Sequence, residues 1–264
     1  MKYAVVIPAM NLWEKCTRHS IDSALKQKLD NGDELQVVVI DNASQDETQK
    51  EAQKMQDENK IKYIRNDTNI GCGPSWNQGI DYAINCWGAD YVMVINNDSI
   101  LHPDSCKVLK KRLEKSEYLL LVSAVDVSQK WSLEQMLLAA ENDDKTEQEH
   151  PHYSAFMIDK RLPEICGEFD SLFYPVYFED NDMHRRINLS GKKAICFGPA
   201  MFFHAHGGSQ TQQSVEGGLV KPAHFEELRK KYAQKWGGVP GQEKFQTPYN
   251  KVDTTIKSTK QNSE

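Results

Sequence analysis

Asp90-Tyr91-Val92-Met93-Val94-Ile95-Asn96-Asn97-Asp98-Ser99 is an apolar run that stops abruptly in a polar triplet. Tyr91 to Ile95 are bulky or β-branched, with nothing polar between them to face solvent. Such a run reads as a strand covered on both faces, as in a parallel sheet. It delivers two amides and a carboxylate at its C-terminal end, where open α/β sheets bind ligands. Asn and Asp also form turns, so the triplet alone leaves a plain turn open.

The preceding sequence repeats the pattern. Tyr3 to Ile7 is a short apolar strand stopped by Pro8, and Trp13 to Lys28 has helical character. Leu35 to Ile40 is a second strand ending in Asp41-Asn42. Ser44 and Glu47 suit a capping box for a helix reaching about Asn59. Ile61 to Ile64 is a third strand. Gly71-Cys72-Gly73-Pro74 then breaks the chain, with Pro74 suited to a first helical turn. Trp76, Ile80, Ala83, Ile84 and Trp87 form one apolar stripe on that helix. Strands about 30 residues apart with helices between them make βαβ units. Asp41 and Asp98 both follow strand ends and so face one crevice.

Beyond Asp98 the pattern predicts a helix over 103–115, a strand over 118–125 and a short helix over 131–140. Glu141 to His150 is so polar that it predicts a mobile loop or surface excursion, with His150, Pro151 and His152 at its end. Strands follow at Tyr153–Ile158, Lys193–Phe197 and from Met201. Pro222 to Trp236 carries Phe225, Leu228, Tyr232 and Trp236 on one stripe and ends at Gly237-Gly238, ahead of a polar tail.

Bulk properties exclude several classes. With 264 residues, 39% hydrophobic and 27% charged, the chain has a globular profile. A net charge of −6 advertises no nucleic-acid or anionic-membrane partner. No apolar run is long enough to span a bilayer, and the N-terminus lacks a signal-peptide pattern. Six scattered cysteines without a CxxC pair suit free thiols, so a cytoplasmic setting is expected.

Six segments, taken in order, resemble the family 2 (GT2) inverting glycosyltransferases of the GT-A fold. Val6-Ile7-Pro8-Ala9-Met10-Asn11 matches the opening strand and nucleotide loop. Val38 to Thr48 resembles the "VDNGSTDGT" segment. Asn69-Ile70-Gly71 with Trp76-Asn77-Gln78-Gly79 resembles the "NxG…NxG" element. Asn96-Asn97-Asp98 stands at the metal-binding DXD triplet, although Asn96 replaces its first carboxylate and weakens metal affinity. Glu179-Asp180-Asn181-Asp182 with Arg186 and Gly191 resembles the "ED" block. His204 with Ser209 fits the histidine motif.

The resemblance implies an α/β fold with a mixed, mainly parallel sheet flanked by helices. It implies a GT-A domain over 1–215, with a nucleotide-sugar half (1–100) and an acceptor half (101–215), then a C-terminal helix and tail (216–264). It implies a nucleotide-diphosphate sugar donor, Mn²⁺ or Mg²⁺, and inversion at the anomeric carbon. Asp98 and His204 would hold the metal, with His206 a rival. Asp180 would be the general base, and Glu179 and Asp182 would raise its proton affinity by like charge. Asp41 would bind the base of the nucleotide. Pro8, Ala9, Asn11, Gly71, Asn77, Asn96 and Asn97 would complete the donor site. Trp76 and Trp131 suit either sugar stacking or the core. A non-catalytic nucleotide-sugar-binding module and a nucleotidyltransferase remain alternatives. The acceptor would be a surface glycan, another hydroxyl-bearing molecule or a hydroxymethylated DNA base.

Overall fold

The computed structural model describes residues 1–140, 142, 145–205 and 222–251. They fall in two compact units, Met1–Lys221 and Pro222–Glu264. The first unit is built on four parallel strands, β1 (Lys2–Ala9), β2 (Glu34–Asn42), β3 (Lys62–Asn66) and β4 (Tyr91–Ile95). Five more follow, namely β5 (Ser99–Leu101), β6 (Leu119–Asp126), β7 (Glu147–Gln148), β8 (Ala155–Asp159) and β9 (Lys193–His204). The sheet runs β3-β2-β1-β4-β8-β6-β9-β5, with β7 added against β9. Strand β8 is antiparallel to both β4 and β6, while β6 and β9 are parallel. The sheet is therefore mixed and mainly parallel in its first half, as the alternating pattern predicts.

Two-residue alternation along β1 builds both cores. Tyr3, Val5 and Ile7 pack with α1 (Arg18–Leu25), α2 (Thr48–Asp57) and α4 (Ser105–Leu113), through Ile21, Ala24, Ala52 and Leu109. Ala4 and Val6 face the other side. There Trp76 and Ile80 of α3 (Cys72–Asp81) meet Met183 and Ile187 of α7 (Glu179–Leu189). The contact between α3 and β1 is close: a Cβ on Gly79 would lie 2.2 Å from Val6 Cγ1. Gly79→Ala is therefore expected to destabilise the fold. Overpacking costs about 1–3 kcal/mol, against a helix-propensity gain of about 1 kcal/mol. Urea unfolding checks the sign.

Several expectations need correction. Pro8 does not stop the first strand, because it pairs with Ile40 beyond the last β1 residue paired to β4. Its missing N–H thus falls where β1 has only one neighbour. Ser44 and Glu47 form no capping box. The Thr48 amide instead donates to Asp46 Oδ1 at 3.0 Å. The capping box belongs to Ser132 and Gln135, which start α5 (Leu133–Leu138). The two strands expected after Lys193 are one, β9, with a detour around Gly198-Pro199. A step of two from Ser123 to Val125 on β6 matches a step of five from Cys196 to Met201 on β9.

The described part of the 141–150 segment is tied to this strand. Glu147 and Gln148 pair with Phe197 and Cys196. Arg112 grips both oxygens of Glu147, at 2.5 and 2.7 Å. Buried Asn142 donates from Nδ2 to the Gly198 carbonyl at 2.7 Å. A polar sequence here satisfies a strand edge, which composition alone does not reveal. Asn142→Ala strands that carbonyl and is expected to cost about 1–3 kcal/mol. The melting temperature should fall by roughly 2–4 °C per kcal/mol in a unit of this size.

In the second unit, α8 (Pro222–Trp236) ends at Gly237, and the chain turns back on it. Lys244 and Phe245 amides donate to the Trp236 carbonyl at 3.1 and 3.0 Å, and Tyr232 Oη donates to Glu243 at 2.6 Å. Phe225, placed on the apolar stripe from sequence, is exposed. Among the described residues no helix is long and apolar enough to cross a membrane.

Candidate active site

The strand ends of β1 and β2 are sewn together by their own polar groups. The Asn11 amide donates to Ser44 Oγ at 2.8 Å, and Asn11 Oδ1 accepts from the Gln45 amide at 2.6 Å. Asp46 Oδ2 accepts the Trp13 amide at 3.0 Å. Asn11, Leu12 and Ala43 all have positive φ, a strained backbone that tends to collect at functional sites. Pro8 and Ala9 lie alongside Ile40 and Asp41, so the expected nucleotide loop and the expected base-binding carboxylate share one edge.

Asp41 is fully buried and already well bonded. Its Oδ1 accepts the Ser44 amide at 2.9 Å, and its Oδ2 accepts from Tyr63 Oη at 2.5 Å and from the Arg65 guanidinium. Burial, with the Asp41 bond behind it, raises the Tyr63 phenol. The sequence reading missed Tyr63 and Arg65, although both sit on β3 in register with β2. An acid at a strand end calls for a cation on the neighbouring strand, and that pattern was the available signal.

Gly71 has φ +90°, and a Cβ there would lie 2.9 Å from the Pro175 carbonyl. The Cys72 amide donates to that carbonyl at 2.7 Å, so only glycine lets the start of α3 sit against this segment. Asn77 grips the backbone of Phe169 in both directions, at 2.8 and 2.9 Å. Its amide is thus occupied in fastening α3 to the segment ahead of α7. Trp76 is 2% exposed and meets Phe156 and Phe169 edge-on, which removes it as a sugar platform. Trp131 packs partly buried on Val127, Met136 and Met201.

The Asn96-Asn97-Asp98 triplet divides its labour. Asn96 is bound to Ser154 through its amide N–H (3.0 Å) and its side chain (3.2 Å). Asn97 Nδ2 donates to Thr17 Oγ1 at 3.0 Å and is buried. Asp98 Oδ1 lies 3.1 Å from His204 Nε2. Strand β5 causes this meeting: Ser99 pairs with His204, and the Ala205 amide donates to the Asp98 carbonyl at 2.9 Å. Burial works against a charge on the His204 ring, but the bond and charge of Asp98, with Asp126 behind them, outweigh it and raise its pKa. Asp126 was missed from sequence, although it too follows a strand. His206 lies outside the described residues.

Asp98 and His204 give one oxygen and one nitrogen donor. Among the described residues no group of three or more His, Cys, Asp or Glu is placed to hold a metal ion. A two-donor protein set fits an ion that takes its remaining ligands from phosphate and water, as Mg²⁺ commonly does, while an imidazole favours Mn²⁺.

Asp180 is the second residue of α7, which starts behind Tyr177 and Phe178, both with positive φ. Burial raises its pKa, and the amides of Asn181, Asp180 and Phe178 offset part of the rise. Asn181 donates to Oδ1 at 2.7 Å. The predicted like-charge repulsion is not the cause. Asp182 is paired with Arg186 at 2.8 Å, and burial holds Glu179 well above the usual carboxylate range. The Cys72 thiol is pushed well up, by burial first and then by the neighbouring acidic side chains of Glu179, Asp180 and Asp98. The start of α3 therefore lies beside the Glu179–Asp180 pair and Asp98. The rings of His152 and His204 stand 6.3 Å apart, and those of His150 and His184 stand 5.5 Å apart.

A model of the family described as glycosyl transferase family 2 matches residues 4–169. No curated protein matches the chain by sequence. Among solved structures, S. aureus TarS aligns with a TM-score of 0.60 at 18% identity, over 90% of this chain and 40% of that one. A 1–349 fragment of TarS in complex with UDP-GlcNAc gives 0.59 at 18% identity, over 88% and 66%. Mannosyltransferase PcManGT from Pyrobaculum calidifontis, in complex with GDP-Man and Mn²⁺, gives 0.61 at 17% identity, over 86% and 67%. These likenesses concern the fold, which is the GT-A architecture, and the chain spans 40% of the length of TarS.

Proposed function

This chain belongs to glycosyl transferase family 2, and we propose that it moves a sugar from a nucleotide-diphosphate donor to an acceptor hydroxyl, with metal assistance and inversion. The observation that carries this reading is the Asp98–His204 contact, made between residues 106 apart in sequence at the C-terminal strand edge. No structural need of a strand end calls for a carboxylate facing an imidazole there.

In this reading Pro8, Ala9, Asn11 and Gly71 line the nucleotide by backbone. Asp41, buried and bonded by Ser44, Tyr63 and Arg65, acts on the base through those partners, and Asn96 borders the diphosphate. Asn77 and Asn97 hold the frame. Asp98 and His204 would hold Mn²⁺ or Mg²⁺, which would offset the charge developing on the leaving diphosphate. Asp180 takes the acceptor hydroxyl proton as that oxygen bonds to the anomeric carbon and the carbon–phosphate oxygen bond breaks. Its burial-raised pKa suits a base that must hold a proton. A displacement from the opposite face inverts the anomeric centre.

The acceptor is a surface glycan, another hydroxyl-bearing molecule or a hydroxymethylated DNA base. Thermal shift with UDP- and GDP-sugars, with and without Mn²⁺, followed by transfer assays on those acceptors, tests the proposal. Metal-dependent stabilisation and sugar transfer are expected. Stabilisation with neither donor hydrolysis nor transfer would instead indicate a binding module.

A further inference from the structure

The Glu179 side chain has no role in the mechanism above, yet it is 4% exposed in the wall beside Asp180. Its Oε2 is buried and has no hydrogen-bond partner. Its Cβ and Cγ would lie 3.5 and 3.7 Å from a Cβ on Gly73, so the side chain fills the space that this glycine leaves. The groups facing it are the Cys72 thiol, from the start of α3, and Asp180 on its own helix. The nearby guanidinium of Arg186 is committed to Asp182 and to the Cys166 carbonyl. The amides of Tyr177 and Glu179 itself reach the carboxyl. These amides flank the two positive-φ residues, Tyr177 and Phe178, which turn the chain into Asp180.

A carboxylate buried without a cation is strongly disfavoured, and two adjacent charges here would be worse. A neutral carboxyl fits the same space and can still accept from the turn amides. We propose that Glu179 is a positioning residue for the base: a neutral carboxyl that pins the left-handed Tyr177–Phe178 turn and leaves Asp180 as the only charge of the pair. This rests on the reading of Asp180 as the base. It assigns the two acids of the block different protonation states and different roles.

The linkage sign follows. A carboxyl kept neutral in the folded state binds a proton that the unfolded chain releases above about pH 4.3. Its contribution to stability therefore falls as pH rises from that range toward the folded pKa. Glu179→Gln is neutral at every pH and escapes the loss. The melting temperature of Glu179→Gln relative to the parent should thus climb as pH rises above that range, by at most about 3 °C per pH unit, and level off once pH passes the folded pKa. A gap that is flat, or that favours the parent increasingly with pH, overturns the neutral assignment.

The positioning role is read from kinetics. Glu179→Ala should lower kcat about 10- to 100-fold with little change in donor KM, and Glu179→Gln should recover most of that loss. The acid limb of kcat/KM should keep its midpoint in Glu179→Gln. A midpoint lower by a unit or more would mean that a charged neighbour had been removed, and would overturn the proposal. An alanine variant that folds and keeps its kcat would do the same. A parent protein that transfers no sugar refutes the functional reading instead, and the melting comparison still decides the charge state on its own.

Discussion

Asp180→Asn is expected to bind donor and metal as the parent does while losing two to four orders of magnitude in turnover, the usual scale of general-base catalysis. The substitution keeps the shape of the side chain. Asn can still accept the 2.7 Å bond from the Asn181 amide, so the helix start should hold. What it loses is the ability to take a proton. The surroundings magnify that loss, because burial has already tuned Asp180 toward proton uptake. The test is single-turnover transfer measured beside donor affinity from calorimetry. If donor binding falls with the rate, Asp180 belongs to the binding wall and the base lies elsewhere.

Asp98→Ala should abolish transfer and remove the metal dependence of nucleotide-diphosphate binding. With Asn96 engaged by Ser154, Asp98 is the one carboxylate that the triplet offers. Its removal leaves a lone imidazole, which cannot hold a hard cation against water. The variant also loses the Asp98 bond that favours protonation of His204. If His204 holds the metal as proposed, protons and metal would compete for that ring. Metal-dependent binding should therefore weaken as pH falls through the raised imidazole pKa, and the Asp98 variant should show no such dependence. His204→Ala should weaken the metal effect more than His206→Ala. Nucleotide binding titrated with Mn²⁺ across pH checks all of these, and unchanged metal-dependent binding in Asp98→Ala would refute the assignment.

Much of the first half was legible because parallel strands announce themselves. Tyr3–Ile7, Val37–Ile40 and Tyr91–Ile95 are continuous apolar runs, and each ends near a polar group on the same sheet edge. The second half was harder. Strand β9 carries Gly198-Pro199 within it, a pair that reads as a break in sequence. Strand β7 consists of a glutamate and a glutamine, whose place in a sheet depends on Phe197 and Cys196, about 50 residues away. The pairing of Asp98 with His204 came from family resemblance, and the short strand β5 that creates it left no pattern of its own. The engagement of Asn77 by Phe169 depends on tertiary packing and leaves no local trace.

The detour in β9 has one more consequence. Side chains alternate along a strand, so its parity decides whether Phe203 or His204 turns toward Asp98. The extra residues between Cys196 and Met201 set that parity. Adding one of them would leave composition, charge and core volume almost as they are, yet would offer Asp98 the benzene ring of Phe203 in place of an imidazole, and removing one would offer it the methyl group of Ala205. Like a reading frame, this stretch carries its meaning in its length. The count of residues around Gly198-Pro199 is as much a part of the Asp98–His204 contact as the histidine itself.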